Sequence, residues 1–293
     1  MKVRIGISLG PAATPGGLAG TADLLESAGI DSLWLSEVVY GDLVEPLIGM
    51  TYALARTTRL KVGTGVAVLP GRHPVLVAKE LASLAALAPG RVLPVFGLRP
   101  ARRPEAAAFP VAGHRAAVFD ESLELLRLLL AGGQVSYAGQ FFTVESALVG
   151  PAPAKPLDIW LGGSAPAGLR RVGRFGDGWL GSFLTPAEAG AAREEIQAAA
   201  AAAGRQIEED HFGISLAVSE GAILPELARA VESRRPGVDP ASLAPASWAD
   251  ARRMIEEYVA VGLSKFVVRP ATGRVPIEQF VGQFVAEMLP LQN

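Results

Sequence analysis

The chain has 293 residues with a net charge of −2, half of them are hydrophobic, and none is cysteine. This composition excludes a disordered chain, and the balanced charge argues against a general nucleic-acid binder, which carries a basic footprint. The absence of cysteine excludes disulfides, thiolate zinc sites and cysteine nucleophiles.

The first residues, Met-Lys-Val-Arg-Ile-Gly-Ile-Ser, predict a strand and not a signal peptide, because charges interrupt the apolar run at once. No uncharged apolar stretch reaches the roughly 18 residues that indicate a membrane span. We therefore expect a soluble, cytoplasmic protein.

Strands and helices alternate along the first half of the chain. Short apolar runs predict strands at 3–9, 32–36, 60–69 and 91–97. Helical spacing predicts helices after them, at 18–28, 46–55, 75–87 and 116–130. Prolines and arginines in 99–113 break the rhythm and indicate a long loop.

The second half repeats the alternation after an antiparallel excursion predicted at 134–149. Further strands are predicted at 157–161, 179–182, 211–218 and 265–268. Thr185-Pro186-Ala187-Glu188 is a helix-start signal with an N-cap, an N1 proline and an N3 acid. Residues 219–247 indicate a short helix and a proline-rich loop, and helices follow at 247–261 and 276–288.

Eight strands, each followed by helical sequence, predict an α/β fold of the (β/α)₈ TIM-barrel type with insertions in its βα loops. We expect residues 1–293 to form a single domain, since such barrels run to about 250 residues. The alternative is a doubly wound open sheet, which usually has fewer strands. In a barrel the site lies at the C-terminal ends of the strands, so the residues at the strand exits carry the functional information.

The segment Leu161-Gly162-Gly163-Ser164-Ala165-Pro166 leads from a strand into a helix with an early proline. Glycines let a phosphate approach the backbone, and a helix N-terminus offers free N–H groups and a favourable dipole. An ordinary tight turn has the same local pattern, so phosphate binding and a plain turn both remain open. The segment matches neither a Walker loop nor the Rossmann fingerprint.

Two other strand exits carry candidate residues. Glu37 follows the second predicted strand, where a carboxylate could accept a hydrogen bond from a cofactor, act as a base or form a salt bridge at the rim. Gly63 and Gly65 interrupt the third strand, which indicates a close backbone approach, a bulge or a barrel corner.

Basic residues follow the fourth strand. Arg99, Arg102 and Arg103 form a cluster that would suit a phosphate or polycarboxylate ligand, and Arg72 could lie near it. Runs of charged residues more commonly lie in a solvated loop, which is the alternative here. The three histidines are scattered and predict no metal site. Of these, His73 alone is expected in a βα loop.

Several segments together resemble the luciferase-like monooxygenase family over nearly the whole chain. The resemblance is carried by residues 33–37, 62–66 with 72–74, 90–92, 158–164 and 176–179. It implies a (β/α)₈ barrel that binds FMN or the deazaflavin coenzyme F420, transfers a hydride or activates oxygen with reduced flavin, and commonly forms dimers. Within the family the chain looks closer to the F420-dependent oxidoreductases.

The resemblance also implies roles for particular residues. Glu37 would lie beside the deazaflavin ring, and Gly65-Val66 would form a bulge behind it through a non-proline cis peptide. The cofactor phosphate would be held by the glycine-rich segment, and the arginines after strand four would meet the oligoglutamate tail. The cofactor-binding residues expected on this basis are Glu37, Gly65, Val66, Gly97, Gly162, Gly163, Ser164 and Ala165.

Two departures from the family pattern narrow the expected chemistry. Val38 stands where members often have histidine after the strand-two acid, and residues 96–100 lack the acid found in the sugar-phosphate dehydrogenase branch. We therefore expect simple hydride transfer between F420 and a small organic molecule, with the cofactor carrying the chemistry and no catalytic side chain assigned. The alternatives are an FMN-dependent monooxygenase and a non-catalytic flavin-binding protein.

Overall fold

The computed structural model describes residues 2–10, 13–219, 221–271 and 275–293. Its strands are β1 (Arg4–Ser8), β2 (Ser32–Leu35), β3 (Lys61–Thr64), β4 (Ala67–Val68), β5 (Val92–Leu93), β6 (Val95–Gly97), β7 (Gln134–Ala138), β8 (Thr143–Leu148), β9 (Trp160–Gly162), β10 (Gly178–Ser182), β11 (Phe212–Val218) and β12 (Lys265–Pro270). Strands β7 and β8 form a separate antiparallel hairpin, as the excursion at 134–149 predicts.

The remaining ten strands form one parallel sheet that closes on itself. Its order is β4-β6-β9-β10-β11-β12-β1-β2-β3-β5, with β4 at one end paired to β6 and β5 at the other end paired to β3. Strands β3 and β4 are two halves of one barrel strand, interrupted at residues 65–66, and β5 and β6 are two halves of another, interrupted at Pro94. The ends of the sheet are therefore joined through these halves. The predicted eight-stranded barrel is confirmed, and the open doubly wound sheet is wrong.

Nine helices of the described chain surround the barrel: α1 (Pro15–Ser27), α2 (Pro46–Arg56), α3 (Pro74–Leu87), α4 (Arg115–Leu130), α5 (Pro166–Phe175), α6 (Pro186–Ala202), α7 (Pro225–Arg234), α8 (Trp248–Ala260) and α9 (Ile277–Glu287). Six of them begin with a proline, whose fixed φ suits the first helical position. Thr185 and Glu188 form the predicted capping box of α6.

The lower half of the barrel interior is filled by large side chains. Trp34, Trp160 and Leu180 belong to a buried cluster inside the ring, with Val95 and Val267. A Cβ atom at Gly63 would lie 2.8 Å from the Trp34 ring, so glycine at this position is explained by the close approach of that indole. Open space lies above this packed layer, toward the C-terminal ends of the strands.

Two local features differ from the sequence prediction. The loop at 99–113 contains a short 3₁₀ helix, Arg103–Ala108, whose Glu105 is fully buried and accepts hydrogen bonds from the backbone N–H groups of Val39 and Tyr40. The fifth barrel strand begins at Trp160 and not at residue 157, following a proline-rich approach. In the part of the chain that the structure describes, no helix is long and apolar enough to cross a bilayer.

Two carboxylates at the N-terminal side of the barrel make the fold sensitive to acid. Burial opposes ionisation of Asp31, but the charges of Lys265 and Lys61 outweigh it and lower its pKa to about 2. Burial is likewise outweighed at Glu26, where hydrogen bonds from Thr58 and from the backbone at 59 and 60 lower the pKa to about 2. Both pKa values are lower in the folded than in the unfolded chain, so these groups stabilise the fold above their unfolded pKa.

We expect the free energy of unfolding to fall as the pH drops from about 4.5 towards 2, because the unfolded chain binds more protons in this range. Urea denaturation at a series of pH values measures this slope. The variant Asp31→Asn should lose stability at pH 7 and show a shallower slope below pH 4.5. Equal slopes in the variant and the wild type would contradict the assignment of Asp31 as a source of acid sensitivity.

Candidate functional site

A cavity of about 730 Å³ opens at the C-terminal ends of the barrel strands. Its volume is within the range of small-molecule and cofactor sites. The eight residues expected to bind a cofactor all line it: Glu37, Gly65, Val66, Gly97, Gly162, Gly163, Ser164 and Ala165. The structure thus brings together residues that lie up to 128 positions apart in sequence, from Glu37 to Ala165.

A bulge of the third barrel strand forms one wall of this cavity. The Gly65-Val66 peptide bond is cis, as the family resemblance implies. The Gly65 N–H donates to the Leu35 carbonyl at 2.7 Å, and Ser36 Oγ donates to the Gly65 carbonyl at 3.1 Å. These bonds to the second strand fix where the Val66 side chain enters the cavity.

The Val66 side chain occupies space that two glycines leave open. A Cβ atom at Gly97 would lie 2.7 Å from Val66 Cγ2, and one at Gly162 would lie 2.8 Å from Val66 Cγ1. Atoms this close would have to move apart, so any larger residue at either position displaces the valine. The absence of a side chain at Gly97 and Gly162 therefore leaves the space that the Val66 side chain occupies.

Glu37 braces this bulge from behind. Its carboxylate is buried and accepts hydrogen bonds from the Val68 N–H at 2.6 Å and from Arg72 Nη1 at 3.1 Å, and its second oxygen pairs with Arg72 Nη2. The sequence suggested that Glu37 could bind a cofactor, act as a base or form a salt bridge. The structure supports the salt bridge, which positions the strand, and gives no support to a base.

The segment 162–165 forms a short loop between β9 and α5. Gly163 has a φ of +115°, a conformation that L-residues rarely adopt, and its carbonyl accepts a hydrogen bond from Trp179 Nε1 at 2.8 Å. Within the described residues, the backbone N–H groups of Ser164, Ala165 and Ala167 make no hydrogen bond. These exposed donors at the start of α5 suit an anion such as phosphate.

Four arginines line the cavity: Arg99, Arg171, Arg234 and Arg269. Arg171 is buried and pairs with Asp120, so its charge is compensated. Glu37 is the single carboxylate among the described lining residues, and it is already paired with Arg72. The cavity is consequently positive, which favours an anionic ligand.

Two expectations from the sequence are wrong in part. Of the predicted basic cluster only Arg99 lines the cavity, because Arg102 turns away to donate to the Tyr40 carbonyl at 2.9 Å. His73 lies outside the cavity at the N-cap of α3 and packs edge-on against Phe142. Its position in a βα loop alone does not bring it to the site.

Sequence reasoning missed three groups that line the cavity. Arg171 and Phe183 follow the fifth and sixth strands, and Arg234 lies on α7, the short helix expected within residues 219–247. A set of hydroxyls also faces the cavity: Ser8, Ser36, Ser182 and Ser215. The alternation of side chains along β11 could have indicated Ser215, since residues two apart on a strand share a face.

Comparison of the sequence with protein families gives one match that spans most of the chain. A family described as luciferase-like monooxygenase matches residues 2–258. The F420-dependent glucose-6-phosphate dehydrogenase of Kineococcus radiotolerans is 30% identical over 175 residues, which is 57% of this chain and 52% of that protein. The F420-dependent hydroxymycolic acid dehydrogenase of Mycobacterium tuberculosis is 32% identical over 174 residues, 56% of this chain and 48% of that protein. The chain thus spans about half the length of these curated relatives.

Solved structures show the same fold. An F420-dependent secondary alcohol dehydrogenase in complex with an F420-acetone adduct superimposes with a TM-score of 0.80 at 19% identity, covering 100% of both chains. The oxygenating constituent of 3,6-diketocamphane monooxygenase from Pseudomonas putida, in complex with FMN, gives 0.75 at 17% identity, covering 100% of this chain and 99% of that one. Proteins of this fold therefore include both F420 and FMN binders.

Proposed function

Because the chain belongs to the luciferase-like monooxygenase family, we propose that it is an oxidoreductase that transfers a hydride between coenzyme F420 and a small organic molecule. The observation that supports this most is the loop at 162–165, whose free backbone N–H groups open into the same cavity as the Val66 bulge. A flavin-type cofactor needs both a phosphate site and a wall for its ring system. This cavity offers the two together.

The described residues fit the coenzyme at three places. The N–H groups of Ser164, Ala165 and Ala167 would hold the phosphate, with Gly163 leaving open space beside them. The Val66 side chain would support the ring, and the exposed Arg99 would meet the carboxylates of the oligoglutamate tail. The match of F420-dependent relatives at 30–32% identity supports F420 over FMN.

When bound, the deazaflavin supplies hydride chemistry, and the protein supplies position and electrostatics. Glu37 and Arg72 hold the bulge, and the hydroxyls of Ser36, Ser182 and Ser215 offer hydrogen bonds to a polar substrate group. Among the described lining residues there is no unpaired carboxylate and no histidine that could remove a proton from an alcohol. This supports reduction of an activated acceptor more than alcohol oxidation.

Titration of the purified chain with oxidised F420 tests the proposal, with FMN titrated in parallel. We expect saturable quenching of the coenzyme fluorescence at micromolar concentration and a weaker response to FMN. Absence of F420 binding, together with tight FMN binding and oxygen uptake on addition of reduced FMN, would instead favour an FMN-dependent monooxygenase. Coenzyme binding with no turnover over a panel of enones, quinones and alcohols would favour the non-catalytic alternative.

We also propose that the chain forms a homodimer through α2 and α3. Large apolar side chains are unusually exposed on these helices, with 66% of Ile48, 64% of Leu76 and 78% of Leu87 accessible, and they border a groove between the two helices. Such a contiguous apolar surface is typical of an interaction site. The single domain over 1–293 and the cytoplasmic location stay predictions.

Replacing Leu76 by glutamate should abolish the dimer, because it places a charge in the centre of the apolar surface. Size-exclusion chromatography with light scattering should give twice the chain mass for the wild type and the chain mass for the variant. Leu148→Glu on the hairpin is the matched control, since Leu148 is 73% exposed and is not one of the residues that line the groove. A monomeric wild type, or a dimeric Leu76→Glu variant, would contradict the proposed interface.

A further inference from the structure

The most unusual charged group in the cavity is Arg269, near the end of the eighth barrel strand. It follows Val267 by two positions on β12, and both side chains line the cavity, so they share the inner face of the strand. Its only hydrogen bond among the described residues is a 3.4 Å contact from Nη1 to the Pro270 carbonyl. No described carboxylate lies within 4.0 Å of it.

A second arginine faces the same space. Arg234, at the end of α7, stacks over the Phe183 ring at 5.0 Å and pairs with no described carboxylate. Burial, and after it the positive charge of Arg234, lower the pKa of Arg269. Two like charges held together without a counter-ion are unfavourable unless an anion joins them.

The backbone around Phe183 fixes this arrangement. Phe183 has a φ of 57°, in the left-handed region that costs a non-glycine residue about 1–2 kcal/mol. Its carbonyl accepts a hydrogen bond from Arg235 Nη1 at 2.6 Å, and Arg235 also pairs with Glu188 at the start of α6. The end of α7 is therefore tied to the sixth strand, and Arg234 is held at the cavity mouth.

Arg269 lies on the opposite side of the strand ring from Arg99, and Arg234 lies beside Phe183 at the end of the sixth strand. Arg99 and the loop at 162–165 follow the adjacent fourth and fifth barrel strands, whereas Arg269 lies on the eighth strand and Arg234 on the helix after the seventh. In a ring of eight strands the fourth and eighth are opposite each other. Arg269 consequently lies three strands round the ring from the strand that leads into the loop at 162–165, and a cofactor phosphate on that loop leaves Arg269 free.

We propose that Arg234 and Arg269 form a subsite for the carboxylate or phosphate group of the substrate. This assignment rests on the proposed function, which gives the opposite side of the cavity to the coenzyme. The substrate is then a small organic anion whose charged group is held by paired guanidinium donors, which suit oxyanions geometrically. The apolar wall of Leu161, Leu180 and Val267 would contact the rest of the molecule.

Calorimetric titration of benzoate and of inorganic phosphate into the whole protein tests this subsite, with and without saturating F420. Benzoate offers one carboxylate on an apolar ring, and phosphate represents the phosphate-ester alternative. With F420 bound, we expect one of them to bind at one site per chain; without F420, phosphate should occupy the loop at 162–165 as well. In Arg269→Met and Arg234→Met its affinity should fall about tenfold to hundredfold, the range for a lost hydrogen bond to a charged group.

Arg229→Met is the matched control, because Arg229 lies on the same helix but is exposed and pairs with Glu226. It should bind the anion as the wild type does. Unchanged anion binding in both cavity variants would overturn the subsite, as would a loss of F420 affinity with anion binding retained. If F420 fails to bind but the anion still depends on Arg234 and Arg269, the subsite stands and the proposed function fails. Since Arg234 is exposed, its variant remains informative even if Arg269→Met does not fold.

Discussion

Replacing Gly163 by alanine is expected to weaken F420 binding by at least about tenfold while leaving the chain folded. The φ of +115° at this residue is accessible to glycine and strained for any L-residue, so alanine shifts the loop. The shift moves the carbonyl that Trp179 holds and reorients the N–H groups of Ser164 and Ala165. A loss of even one charge-assisted hydrogen bond to a phosphate is worth about 1.5–3 kcal/mol.

Gly204→Ala provides the control for backbone strain alone. Gly204 also has a positive φ, +67°, with open space around it, but it follows α6 and lies away from the cavity. Thermal denaturation should show a modest loss of stability in both variants, and fluorescence titration should show weaker coenzyme binding in Gly163→Ala alone. Equal coenzyme affinity in the two variants would show that the loop at 162–165 does not hold the phosphate.

Replacing Glu37 by leucine should cost the fold about 3 kcal/mol, because it removes the buried carboxylate that pairs with Arg72 and accepts from the Val68 N–H. The bulge at residues 65–66 loses its brace in the same step, so coenzyme affinity should fall as well. Urea denaturation measures the first effect and fluorescence titration the second.

Glu45→Gln is the matched comparison, since Glu45 contacts the same Arg72 at 3.5 Å but is exposed. An exposed ion pair contributes about 0–1 kcal/mol, and the amide keeps the hydrogen bond that caps α2. A Glu37→Leu protein as stable as Glu45→Gln would show that the buried pair does not brace the bulge.

The barrel could be predicted from sequence because its signals are local. Short apolar runs, N1 prolines such as Pro74 and Pro186, and the capping box at Thr185 each fix an element without reference to the rest of the chain. The convergence of the eight candidate residues also follows from topology, since parallel strands in a barrel end on one rim. The phosphate-loop pattern and the glycines of the third strand therefore pointed to the rim where the cavity lies.

The contacts that decide the roles of individual residues are not local. Glu37 pairs with Arg72, 35 positions away, and the periodicity of the sequence does not predict this contact. The contact supports a structural role for Glu37 in place of the role of a base. Gly63 lies under the Trp34 ring. Glycine is needed there because the indole packs too closely to leave room for a Cβ atom, and not because the strand bulges. Arg234 depends on the unusual backbone of Phe183, which has no signal in the sequence.

A crystal structure of the chain grown with saturating F420 is the most direct measurement of the central claim. We predict density for the coenzyme in the barrel-mouth cavity, with its phosphate on the N–H groups of Ser164, Ala165 and Ala167 and its ring against the Val66 side chain. Density for the phosphate at Arg234 and Arg269, or an empty cavity at a coenzyme concentration that saturates binding in solution, would contradict it.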